Sequence, residues 1–516
     1  MLENRRIRPV NRRETLEFLG ASATALAMNR SGFGQSLEAP PLPADQRWLA
    51  RLADGIADGI DSVTTIEGTL PAEIHGTLYR NGPGLFERAG FRKRTLLDGD
   101  GMIRAFTFAN GKVRFRTRFV STEKFVREAS ANKFLFPTWT TPAPGFFENV
   151  PEIPRKSQAG VAAVVKSGVL YAFDEVAKPY TLSTESLTTQ QQIDPAGIGA
   201  EGSPRDYKAH TKTDGETGAW VLTGTSGQRR QQLHVVVLDA RGKSLAQSHT
   251  SNPRDDYFHD FFWTGRHAVF HLQPTPLSPL PMLMGFRTYV DSLSWRPDLG
   301  SLLLVVDPSG GAEPIALELP ATWMWHSVNG YEHGNSIIAD FIGYAAPDHF
   351  FGPHAVFRSI MTGQAGIATS PGELRRFVID LSRRTARLET VVGEHFEFPT
   401  TNPRVQGHPY GFAYCAIGDI ARSWFHDGVA KIDVESGKYE QFRFGSRTYV
   451  GEPVFVPAAD SRVEDAGWLL CEVLDGRTER SELAIFDAQA LPSGPVAKVK
   501  LAHHLPFSFH GWWQPA

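Results

Sequence analysis

From residue 76 to the C-terminus the chain is a succession of short β-forming runs, each ended by Gly, Pro, Asn or Asp well before helix length. "GTLYRNGPG", "IRAFTFANGKVRFRTRFV", "GVLYAFDE", "GAWVLTGTSG", "HAVFHL", "LLLVVDPSG", "SIIADFIGY", "LRRFVIDLSRRTARLETVV", "GFAYCAIG", "VAKIDVESGKYEQFRF" and "GWLLCEVLDG" follow one another at similar intervals. "FTFANGKVRF" sets Asn110-Gly111 between alternating segments, the chemistry of a tight hairpin. No helical runs alternate with these strands over roughly 400 residues, which leaves a β-propeller or a very large sandwich. No WD or kelch repeat is present to choose between them.

A closed fold of this size needs a large core, and 41% apolar residues with 11% aromatic supply one. The formal charge of -3 leaves no surplus of Lys and Arg for a phosphate backbone, so nucleic acid is not an expected partner. The two cysteines, Cys415 and Cys471, sit in apolar strand-like runs and read as buried hydrophobes, neither a disulfide framework nor a zinc knuckle. Residues 1–38 read as a leader: Arg12-Arg13 precede a small apolar stretch, resembling the twin-arginine export signal of bacteria. The expected location is therefore the bacterial cytoplasm, or the periplasm if that leader is used. A Pro-rich joint, "PPLPADQRW", opens a single propeller domain expected over 39–516, and "DQRWLARLADGIADGI" has the apolar spacing of a short helix. No apolar run reaches the length of about 20 residues that spans a bilayer. "HLQPTPLSPLPMLMGFRTYVDSLSW" is Pro-rich, apolar and without strand alternation, and reads as an insertion over one face.

Among 17 histidines, four share a context: His210 in "YKAHTKTD", His259 in "DYFHDFFW", His326 in "MWHSVNGYE" and His510 in "FSFHGWW". Each lies in or beside an aromatic or β-forming run, where an imidazolium is costly and a neutral, liganded ring is not. Their wide separation rules out a local motif such as HExxH, and only a closed radial fold brings them together. In a propeller, one inward His from each of four blades converges on the axis and offers four nitrogens to one ion. Imidazole suits Fe, Zn, Cu and Ni alike, so this set alone does not name the metal. His267, His333, His503 and His504 read as ordinary hydrogen-bonded histidines.

"LPAEIHGTLYRNGPGLFE" followed by "LLDGDGMIRAFTF" resembles the N-terminal signature of the carotenoid cleavage oxygenases, a family that includes lignostilbene dioxygenases and the retinoid isomerase. Later motifs agree in order: "AHTKTDGETG", "FHDF", "WHSVNGYE", "FEFPTTNPRVQGHPYGFAY", "GEPVFVP" and the terminal "PFSFHGWW". The resemblance implies an all-β, seven-bladed β-propeller under a dome of loops and helices, with Fe(2+) on its axis held by His210, His259, His326 and His510. It implies three glutamates on the outer N–H of those rings: Glu397 and Glu452, and less strictly Glu175, which follows Asp174 where the family has Trp or Lys. Val161 falls where the family places a Thr or Val that screens the sixth iron position, although the family's "ANT" is "GVAA" here.

The implied reaction is addition of O2 across one C=C bond of a conjugated polyene or stilbene, giving two carbonyl products without a protein nucleophile or an external reductant. Stilbene-cleaving members grip a phenolic hydroxyl with Tyr and Lys, where this sequence has Trp139 and Asp174, so an apolar carotenoid or apocarotenoid is the expected substrate. It would enter under the loop between Pro274 and Phe286, and "PLPMLMGF" would double as a peripheral contact with the membrane surface. Three other readings compete: a lignostilbene-type dioxygenase, an isomerase or ester-handling relative on the same site, and a carotenoid-binding propeller without catalysis.

Overall fold

The structure, a computed structural model, describes residues 39–145, 147–150, 155–197, 204–227 and 230–516. The leader expected over 1–38 lies outside the described residues. The chain divides into Met1–Pro40 and Pro41–Ala516, and the second unit holds the propeller.

Seven antiparallel sheets of four or five strands stand around a central axis, with one extra two-stranded ribbon, so the propeller wins over the sandwich. All eleven quoted runs are strands. Asn110 and Gly111 have φ of 52° and 69° between the paired residues Ala109 and Lys112, the two positive values that a type I′ hairpin requires.

Ring closure is double. The C-terminal strand Gly511–Pro515 becomes the inner strand of the first blade by pairing with Gly76–Leu85. Thr65–Gly68 in turn forms the outer strand of the last blade against Ala497–Lys500. Between these two blades Phe106, Phe115, Leu470, Leu483, Ile485 and Val499 are fully buried, each worth about 1.5–3 kcal/mol of transfer free energy. The aromatic C-terminal segment is held in order by this pairing.

Two expectations change in detail. The helix read from "DQRWLARLADGIADGI" is a seven-residue 3-10 helix, Arg47–Ala53, that buries Trp48, Leu49 and Leu52. It stops before Gly55, where a Cβ would lie 2.6 Å from the carbonyl oxygen of Gly84, so close packing on a strand replaces further helix. The Pro-rich stretch is an insertion between Ala268–Leu272 and Ser301–Val306 of one blade, as read, but it carries a short helix, Pro279–Leu283, and a 3-10 turn, Val290–Ser292. Cys415 and Cys471 are buried and unbridged, and burial pushes both thiols up. Among the described residues no helix is long and apolar enough to cross a membrane.

Candidate metal centre

Four histidines reach the axis from four blades. His326 lies in the inner strand Trp323–His333, at a register break where the pairing passes over it. His259 and His510 stand just ahead of the inner strands Phe261–Trp263 and Gly511–Pro515, and His210 occupies the gap between Asp206–Tyr207 and Lys212–Thr213. Bulges and strand breaks re-aim side chains that regular pairing would hold in alternation.

The three glutamates come from the three remaining blades. Glu397 and Glu452 also sit at register breaks of inner strands, and Phe398, beside Glu397, has φ of 53°, strained for an aromatic residue. Glu175 follows the strand Val169–Phe173. Each blade thus contributes one His or one Glu to the same axial cluster.

One ligating atom from each histidine lies within 4.8 Å of all the others. Nε2 of His210 is 3.0 Å from Nε2 of His259, and Nε2 of His326 is 3.1 Å from Nε2 of His510. The outward Nδ1 atoms meet carboxylates: His326 on Glu397 at 2.5 Å, His510 on Glu452 at 2.7 Å, and His259 on Glu175. His210 has no glutamate of its own among the described residues, and its Nδ1 is 4.0 Å from Asp260.

Burial raises Glu175, Glu397 and Glu452, but their partners outweigh it and leave all three below the usual carboxylate range. For Glu452 those partners are Arg80, His510 and the backbone N–H of Gly511. Burial and the neighbouring rings hold His210 well below the ordinary histidine value and take His510 down to about 4. Burial lowers His326 too, but Glu397 more than reverses it and the net shift is upward.

With Nδ1–H given to an ionised carboxylate, the Nε2 of the same ring presents a lone pair. Lone pairs 3.1 Å apart repel unless a cation stands between them, so the donor set calls for positive charge at its centre. Separations of 3.0 and 3.1 Å match neighbouring corners of an octahedron with metal–nitrogen bonds of about 2.1 Å. The residues fit a metal ion.

Two cavities meet at the imidazoles. An aromatic chamber of about 50 Å³ is lined by Trp139, Val161, Trp325, Phe398 and Phe507 together with His259, His326 and His510. On the other side a larger cavity of about 380 Å³ has a mixed lining, with His210, Lys212, Asp260, Thr400 and Glu452 beside Val328, Phe398 and Trp512, and it shares His326 and His510. Trp139 and Val161 both line the chamber. Asp174 does not reach it: its carboxylate accepts from Ser157 Oγ at 3.2 Å and from the backbone N–H groups of Gln158 and Glu175 at 2.7 Å each.

Sequence reading missed the groups that hold the glutamates. Tyr257 donates to Glu175 at 2.9 Å and Tyr344 to Glu397 at 3.0 Å. Buried Arg80 is ion-paired with Glu452 and also donates at 3.0 Å to Ser508 Oγ and to the Phe509 carbonyl. Only Tyr257 carried a visible signal, two residues before His259 in "DYFHDFFW".

Residues 56–515 match the RPE65 family, described as retinal pigment epithelial membrane protein. The chain is 32% identical to apocarotenoid-15,15'-oxygenase of Synechocystis sp. over 463 residues, 87% of this chain and 92% of that protein. It is 29% identical to isoeugenol monooxygenase of Pseudomonas putida, over 87% of this chain and 94% of that one. The crystal structure of cobalt-substituted Synechocystis ACO superposes with a TM-score of 0.85 at 31% identity, covering 92% of this chain and 99% of that chain.

Proposed function

Because the chain belongs to the RPE65 family, we propose that it is an iron-dependent dioxygenase that cleaves one C=C bond of an apocarotenoid or carotenoid with O2. The observation that carries this reading is the convergence of four Nε2 atoms whose rings are fixed from behind by carboxylates. His210, His259, His326 and His510 would hold the ion, and Fe(2+) there would supply O2 activation. A solved relative with cobalt substituted supports a metal in this site. The balance closes without a reductant: the C=C bond and the O–O bond break, and each former alkene carbon receives one oxygen.

The chain's own residues do the rest. Glu175, Glu397 and Glu452 fix the ring tautomers and offset the ion's charge. Phe398, Trp325 and Val161 keep the chamber dry and would hold the polyene against the imidazole face. At about 50 Å³ the chamber is far below the roughly 300–1,000 Å³ of ordinary ligand sites. Trp139 and Tyr289, whose rings meet edge to face at 5.2 Å, line both this chamber and the cavity outside it, so a long substrate would pass beside them. Leu280, Leu283, Met284 and Phe286 are exposed apolar side chains around that entrance and would lie in the headgroup layer from which a lipid substrate is drawn.

Similarity to an isoeugenol monooxygenase favours a second reading, an aryl-alkene substrate. Incubating iron-loaded protein with 18O2 and a panel of apocarotenals, stilbenes and isoeugenol, then weighing the carbonyl products, separates the two. Labelled aldehydes from the polyenes support the first reading. Labelled products from aryl alkenes alone would install the second, and polyene binding without oxygen uptake would leave a carrier.

A further inference from the structure

Outside the chamber lies a cavity lined by Trp139, Arg155, Met282, Arg287 and Tyr289 among others. Trp139 and Tyr289 form the wall common to both spaces. A linear substrate with its reacting bond beside His259, His326 and His510 would, if it passed Tyr289, extend into this outer cavity.

Arg155 waits there. Its guanidinium carbon stands 5.2 Å from the centre of the Tyr289 ring, and Nη2 is 3.3 Å from Met282 Sδ. Among the described residues no carboxylate approaches it within ion-pair distance, 4.0 Å. The charges around it are engaged elsewhere. Lys156 Nζ is 2.8 Å from Glu123, and Asp174 is closed by Ser157, Gln158 and Glu175. Arg287 reaches the Asp291 carbonyl at 3.4 Å from an exposed position.

We infer that Arg155 anchors an anionic end group of the substrate, a carboxylate, so that conjugated acids are preferred over alcohols of the same length. The inference rests on the oxygenase reading. The Tyr289 ring meets the guanidinium at 5.2 Å from one side, and its N–H groups can serve a planar, bidentate acceptor. A half-buried cation with no carboxylate within ion-pair distance among the described residues, and only Asp206 acting on it from further off, gains more from a carboxylate than from a neutral hydroxyl.

The test titrates iron-loaded protein, with O2 excluded, with an apocarotenoic acid and with the alcohol of equal chain length, following quenching of tryptophan fluorescence. The unaltered protein should bind the acid about 10-fold or more tightly than the alcohol. Arg155→Met should remove that advantage while alcohol binding stays within about twofold, which also shows that the variant folds. Arg155→Lys should keep an intermediate preference, because the ammonium retains the charge and loses the fork. Equal binding of acid and alcohol by the unaltered protein, or equal weakening of both by Arg155→Met, overturns the inference. Tighter binding of the alcohol also overturns it and points to the unpartnered Oε1 of Gln158. Arg155-dependent binding of the acid, with no carbonyl product from iron-loaded protein, would remove the oxygenase reading and leave the anchor standing.

Discussion

The two sides of the imidazole cluster are lined differently: the chamber is mostly aromatic and aliphatic, whereas the axial cavity mixes charged and apolar groups, and Phe398 borders both. On the chamber side the rings meet Trp325, Phe398 and Phe507, and the two carboxylates present, Glu175 and Glu397, are already held by histidine and tyrosine. On the axial side the same cluster meets Lys212, Asp260, Ser327 and Thr400, with Lys212 2.8 Å from Asp260 and Ser327 donating to Asp260 at 2.7 Å. His326 and His510 face both spaces, His259 only the dry one and His210 only the wet one. The contrast teaches a division of labour: Lys212, Asp260 and their hydroxyl partners gather on the axial side, and the face turned to the chamber, whose carboxylates are already engaged, suits an apolar substrate.

The largest break in that division would come from a ligand shared by both sides. His326→Ala should cut metal content at equal loading by at least about 100-fold and abolish product, read by metal analysis of dialysed protein; losing even an outer partner of a ligand costs 10–100-fold. Arg80→Met should destabilise the protein by about 3–5 kcal/mol in a denaturant titration, since Glu452 would lose its buried counter-ion and the 508–509 segment its donor. Glu397→Gln keeps the shape but not the charge, and should weaken metal binding by about 10–100-fold with far-UV spectra unchanged.

Smaller changes sharpen the comparison. Leu293→Asn puts a polar group into the dry chamber and should raise KM for an apolar polyene by about 10-fold, the cost of an amide without partners. Thr400→Val, which removes a hydroxyl from the axial side, should leave KM within about twofold, as expected of a substrate held in the chamber. If Thr400→Val moved KM as much as Leu293→Asn, the two sides would not divide the work as described.

Much of this was legible in the chain. Short runs, turn chemistry at Asn110-Gly111 and the contexts of four histidines pointed to a ring of blades, because those signals are local. What stayed hidden is set by closure. Arg80 meets Glu452 across 372 positions, and Tyr344 meets Glu397 only because two inner strands break register near the axis. Asp174 shows the same limit: its type was read as a pocket difference, yet its carboxylate is turned to backbone N–H groups, a direction that no composition records. The short 3-10 helix at Arg47–Ala53 ended early for an equally non-local reason, the carbonyl of Gly84 against Gly55.

X-ray absorption at the iron edge of the loaded, dialysed protein measures ion and ligands together. One iron per chain surrounded by four imidazole nitrogens at about 2.1 Å is the expected spectrum. Iron bound through fewer imidazoles, or a His210→Ala variant whose spectrum matches that of the unaltered protein, would contradict the four-histidine centre.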